Sequence, residues 1–239
     1  MDQIDIGKTF MAIWRGSDAM PSVGPQVHLK FKLLGGGQDY ADSASEAIGL
    51  ARIMMRYILA KLNKGAMALT VNQLQVLDYY FVLGGNPPAP GDIGIIRQTL
   101  QLTSNGLFSN DLNVKVKTGG GGTVGYANMH DSRFGLMDKI RTKTGAKSRW
   151  TPGYDIEAGN RKTHFGDIHL SDSAMDRGPE YAAMTLIHEA THKFASTGDY
   201  AYTSAATNFL YVAPLPTHAE ALNNADSYSC CVMMAYLFP

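Results

Sequence analysis

Apolar positions in the first half of the chain recur mostly at helical spacing. Ala47, Leu50, Ala51, Met54, Ile58 and Leu62 follow one another every three or four residues, and Ser43 with Glu46 forms a capping box ahead of them. This predicts a long core helix that opens at Ser43. Thr70-x-x-Gln73 opens a second helix through Leu74, Leu77 and Phe81, stopped by Gly84-Gly85 and the prolines beyond. A third is expected over 92–102, ending near Asn105-Gly106. Residues 1–40 mix short apolar pieces with Gly35-Gly36-Gly37 and read as an N-terminal extension, which leaves 41–239 as the main domain.

The middle of the chain changes character. Residues 114–116 and 123–126 alternate like strands around the glycines at 119–122, which predicts a hairpin or loop. The glycines are no phosphate loop, because no Gly-Lys-Ser or Gly-Lys-Thr follows them. Residues 167–170 predict a short strand. Gly178-Pro179-Glu180 then supplies a break, a proline suited to a first helical turn and a favourable early acid. A last helix is expected to open at the capping box Thr217-x-x-Glu220 and to run through Leu222, Ala225, Val232, Met233 and Tyr236. Together these elements predict an α+β fold, mostly helical, with a small sheet.

Composition changes this picture little. The 239 residues are 45% hydrophobic and 18% charged, enough to bury a substantial core. Lys plus Arg number 21, as do Asp plus Glu, so no broad charge favours nucleic acid or an anionic membrane as partner. Cys230 and Cys231 are adjacent and give no disulfide framework. The start Met1-Asp2-Gln3-Ile4-Asp5 lacks the basic and apolar regions of a secretory signal, which predicts cytoplasmic synthesis. Export by a specialised secretion system that reads no such signal stays open. An exported effector would add an inhibitor or immunity protein to its partners.

Candidate chemistry lies in His188-Glu189-Ala190-Thr191-His192. On a helix the two imidazoles project from one face on successive turns and can share a metal, while Glu189 sits where a carboxylate could take a proton from water. Zinc suits neutral imidazoles and needs no redox chemistry. One zinc per chain is expected, and a catalytic zinc wants a third protein ligand. A metzincin arrangement is excluded, since Ala195 and Gly198 stand where it needs Gly and His. A gluzincin would use Glu220, already explained as the capping partner of Thr217. Asp199, just past Thr197-Gly198 where the helix should end and the chain turn back, is the better candidate.

These residues resemble the aspzincin metallopeptidases, the deuterolysins and peptidyl-Lys metalloendopeptidases. Their H-E-x-x-H and following G-T-x-D-x-x-Y-G pattern is similar to His188–His192 followed by Gly198-Asp199-Tyr200-Ala201-Tyr202, and Asn224-Ala225-Asp226 is similar to their Asn-Ala-Asp. The resemblance implies a zincin-like fold and zinc-dependent endopeptidase activity on protein or peptide. It implies His188, His192 and Asp199 as zinc ligands, Glu189 as general base, and Tyr202 as hydroxyl donor to the developing oxyanion. The strand at 167–170 would then be the sheet edge beside the cleft, along which an extended substrate pairs. Asp226 matches a pocket acid of the peptidyl-Lys members, which implies substrate binding with a preference for Lys after the scissile bond. Departures are the lost Gly-Thr order, Thr203 where the pattern has Gly, and Ser229 where the peptidyl-Lys members carry a second acid.

Two other readings stand beside this one: a zinc-holding binding or toxin-like module without turnover, and a zinc hydrolase of a non-protein amide such as cell-wall peptide. His28, His130, His164, His169 and His218 have no partner at ligand spacing and are set aside, His169 least securely because its strand could aim it at substrate.

Overall fold

A buried stripe of Ala44, Ala47, Ile48, Ala51, Met54, Met55, Ile58 and Leu62 makes α1, Gln38–Leu62, the long helix that the spacing predicts. In the computed structural model, which describes residues 31–34, 38–85, 88–108, 112, 114–117, 125–127 and 168–239, α1 nevertheless begins well ahead of Ser43. Ser43 and Glu46 therefore lie inside the helix and form no capping box. Ala41 is already buried and Tyr40 packs on the core, so burial carries the helix back past the local signal. Strand β1, Phe31–Leu34, precedes α1 and joins the sheet.

Helix α2, Val71–Phe81, opens on the expected capping box, with Thr70 Oγ1 accepting from the Gln73 amide and Gln73 Oε1 accepting from the Thr70 amide. The third helix, α3, is longer than its pattern predicts and spans Pro90–Leu107. Gly106 does not end it by local preference. A Cβ there would lie 2.0 Å from the Phe194 ring, so the glycine lets α3 approach the helix that carries the histidines.

Strands β2 (Val114–Lys117), β3 (Gly125–Ala127) and β4 (Ile168–Ser171) join β1 in a four-stranded sheet of order β1-β2-β4-β3. β1, β2 and β4 are parallel, and β3 runs antiparallel to β4. Two expectations are corrected here. The segments around the glycines do not pair as a hairpin, because β4 inserts between them. β4 is also not the edge strand: it is interior, and among the described residues β3 is the edge beside the histidine helix.

A short helix α4, Asp172–Met175, is capped by Ser171 and leads into α5, Pro179–Ala195, with Pro179 in its first turn. α5 is central, packed against α1, α3 and β3 and almost wholly buried. After it come a small hairpin, β5 (Thr203–Ser204) with β6 (Leu210–Tyr211), then α6, His218–Ala221, and α7, Ala225–Leu237. The single last helix expected from Thr217 is thus two. The Thr217/Glu220 box forms, but Asn224 is extended (φ −101°, ψ 127°) and bridges to Gly198, which breaks the helix before α7. Among the described residues no helix is long and apolar enough to cross a membrane.

Candidate metal centre

The last turns of α5 present His188 and His192 with their Nε2 atoms 3.0 Å apart. α5 then ends at Ser196, which adopts the left-handed conformation (φ 55°, ψ 38°), and the chain turns back so that Asp199 faces the imidazoles. Asp199 Oδ1 lies 3.1 Å from His192 Nε2 and 3.4 Å from His188 Nε2. Ligands about 2.0–2.1 Å from a tetrahedral zinc are separated from each other by roughly 3.3 Å. The donor triangle of 3.0, 3.1 and 3.4 Å has that size.

Glu189 is placed differently. His188, Glu189 and His192 each offer a ligand atom within 4.8 Å of the others, but Glu189 Oε1 is 3.9 Å from His188 Nε2, farther than Asp199. Its carboxyl is buried, and burial raises its pKa against the opposing pull of His188 and His192. The Ala127 amide of β3 donates to it. Gly125 makes this approach possible, since a Cβ there would stand 2.7 Å from Thr185 and 3.2 Å from Glu189. No local pattern marks this glycine, because the side chains that need it lie about sixty residues on, on α5.

Each imidazole is oriented through its other nitrogen. His192 Nδ1–H donates to the Thr197 carbonyl at 2.8 Å, which leaves Nε2 as the acceptor atom of the neutral ring. His188 Nδ1 faces Asp226 Oδ1 at 2.6 Å. Burial alone would lower the His188 pKa, yet its hydrogen bonds to Asp199 and Asp226 and the charge of Glu189 raise it to about 10. Asp199, although burial works the other way, is held well below the ordinary carboxylate range by His188 and His192. The donor set therefore draws positive charge to the point between the imidazoles, as a cation site must.

Asp226 stands behind His188. The residue is buried, Oδ1 is on His188, and Oδ2 accepts from the Thr203 amide at 2.5 Å and the Thr203 hydroxyl at 3.1 Å. Both oxygens are thus engaged within the chain, and the carboxylate holds the His188 ring in place. Glu220 is occupied as a cap, accepting from the Thr217 amide and hydroxyl at 2.8 Å each. Tyr202 is 57% exposed, and its hydroxyl hydrogen-bonds the Asp199 carboxylate. Partial burial first, then Asp199, raises its pKa, so it remains a proton-bearing donor.

Asn224, one member of the Asn-Ala-Asp motif, organises the loop that carries Asp199. Fully buried, its Oδ1 accepts from the Tyr200 and Ala201 amides at 2.9 and 3.2 Å. Its Nδ2 donates to the Ala201 carbonyl at 3.0 Å and to Ser227 Oγ at 3.1 Å. With Gly198 N–H on the Asn223 carbonyl and Ala225 N–H on the Gly198 carbonyl, this straps the Asp199 loop to the start of α7.

Of the histidines set aside, His169 lies buried on β4, and His218 donates through Nδ1 to the Phe81 carbonyl. His28, His130 and His164 fall outside the described residues.

No protein-family model matches the chain, and no curated protein sequence matches it. Its fold is similar to that of a solved zinc peptidase from Grifola frondosa, with a TM-score of 0.53 over 83% of this chain and 96% of that one, at 15% identity. The two share a fold, one that is mostly helical with a small sheet.

Proposed function

We propose that this chain is a zinc-dependent endopeptidase of the aspzincin type, with one zinc held by His188, His192 and Asp199. The observation that carries the reading is the donor triangle, whose edges suit a tetrahedral ion and whose Asp199 corner is partly exposed. The likeness to a zinc peptidase fold supports it. When bound, the metal supplies Lewis acidity and lowers the pKa of a water to about 7.

The chain's own residues do the remainder. Glu189, lifted by burial towards the working range of a general base, accepts the water's proton at its carboxylate and returns it to the leaving amine. Tyr202 O–H, beside Asp199, donates to the carbonyl oxygen as charge develops there. The extended substrate lies along the edge of β3, whose Ala127 amide already touches Glu189, so the same strand registers peptide and base.

Glu189 and Tyr202 favour a peptidase over a module that only holds metal, because neither is needed for holding it. The edge strand favours a peptide over another amide. A preference for Lys would rest on Asp226, whose oxygens hydrogen-bond His188 and Thr203.

The test is cleavage of an unfolded protein by the zinc-loaded chain. Cleavage should stop with a chelator, return with zinc, and be absent in Glu189→Gln. Cleavage indifferent to chelation would overturn the reading.

A further inference from the structure

The loop that carries Asp199 is closed by the side chain that follows it. The Tyr200 ring folds back across Asp199 onto Gly198, where a Cβ would stand 2.7 Å from Tyr200 Cε2 and 3.4 Å from Cδ2 and Cζ. Gly198 does not adopt the left-handed conformation, so its lack of a side chain makes room for the ring and answers no demand of the backbone. The hydroxyl of the same ring accepts from Asn223 Nδ2 at 3.2 Å. Asn223 is buried, and Tyr200 is the one hydrogen-bond partner of its side chain among the described residues, since Oδ1 meets none.

Gly198 and Asn223 are themselves joined, the Gly198 amide donating to the Asn223 carbonyl at 2.8 Å. Tyr200 thus covers both partners of that contact, Gly198 with its ring and Asn223 with its hydroxyl, while its own amide donates to Asn224 Oδ1 at 2.9 Å. Asp199 is the residue enclosed. The side chains of His188 and His192 are 14% and 8% exposed, that of Asp199 37%, so Asp199 is the outermost of the three donors and the one an ion would pass on its way to solvent. With its neighbours pinned on both sides, its carboxylate has little freedom to swing away. In the G-T-x-D-x-x-Y-G pattern the glycine stands three places before the aspartate and the residue after the aspartate is unspecified. Here Gly198 and Tyr200 flank Asp199 directly, so the contact between them belongs to this chain's own arrangement.

We infer that Tyr200 is a positioning residue of the metal centre: with Gly198 and Asn223 it latches Asp199 in the donor position and thereby sets how slowly the ion leaves. This rests on the zinc site proposed above and adds what governs its exchange with solvent. Residues that orient a metal ligand from behind are typically worth 10–100-fold in metal affinity.

The test uses the full chain and reads metal instead of turnover. Release of zinc is timed by its transfer to a chromophoric chelator, and Co²⁺ loaded in place of zinc reports the geometry of its ligands through its visible absorption. Tyr200→Ala should release zinc about tenfold faster and change the cobalt spectrum. Its metal-free melting temperature should stay close to the parent's, because the side chain is 42% exposed. Gly198→Ala should have the same effect on the metal, since its methyl group displaces the ring. The double variant should be no worse than Tyr200→Ala alone, because the three nearest neighbours of that methyl group all belong to Tyr200. A release rate and cobalt spectrum unchanged in Tyr200→Ala overturn the latch and leave the metal centre standing. Effects of the two single changes that add in the double variant overturn the ring-on-glycine contact as its basis. A parent chain that takes up no zinc overturns the metal centre itself, and the latch with it.

Discussion

The Asp226 carboxylate lies 2.6 Å from His188 Nδ1 while its second oxygen takes the Thr203 amide, so one buried acid fixes both a metal-facing ring and the start of the hairpin. Outer carboxylates of this kind orient the ring and raise its basicity, and their loss typically costs 10–100-fold in metal affinity. Asp226→Asn should therefore weaken zinc binding by about that factor, measured by competition with a chromophoric chelator. An unchanged affinity would show that His188 is held by its helix alone.

Asp199→Ala should abolish stoichiometric zinc binding, since it removes one corner of the donor triangle. Glu220→Ala should leave the zinc content at one per chain, because that carboxylate is spent on Thr217. Metal analysis of the two purified variants checks both, and the reverse ranking would transfer the third ligand to Glu220.

Glu189→Gln should retain a full equivalent of zinc and lose about 10²–10⁴ in kcat/KM, the usual share of a general base. Retained activity would sink the assignment of Glu189. Zinc should also stabilise this variant as it does the parent chain, by about 4 kcal/mol at a thousandfold excess over Kd, seen as a rise in melting temperature.

Asn224→Ala should destabilise the chain by about 1–3 kcal/mol, since it leaves buried loop amides without their acceptor. It should weaken zinc binding as well, although Asn224 touches no ligand atom. A loss of stability with full zinc affinity would confine its role to packing.

Gly106→Ala pushes a methyl group into the Phe194 ring and should cost about 1–3 kcal/mol or more. Pairing it with Phe194→Ala should cost less than the sum of the two single changes, because alanine removes the Cγ and Cδ atoms that the methyl group would overlap. Strict additivity in denaturant melts would mean that the ring moves aside freely.

What the sequence made legible was local. The stripe of α1, the caps at Thr70 and Thr217 and the face shared by His188 and His192 each depend on residues within a few positions of one another, where spacing carries the information. Ser43 shows the limit even there, for burial of Ala41 outweighed a well-formed cap signal. Strand neighbours were not legible. Nothing in residues 167–170 says that β2 and β3 flank them on either side, because that pairing joins segments far apart in the chain. The partners of Gly106 and Asp226 were hidden for the same reason: one answers to Phe194 and the other to His188, both on a helix distant in sequence.

The strap between Gly198 and Asn224 joins the end of one buried helix to the beginning of another, and Asp199 hangs from it. Order in the metal centre and order at the head of α7 are therefore a single cooperative quantity. Whatever occupies the donors must also slow the exchange of the Gly198 and Ala225 amide hydrogens with solvent, and whatever unravels α7 from its first turn must loosen the grip on the ion.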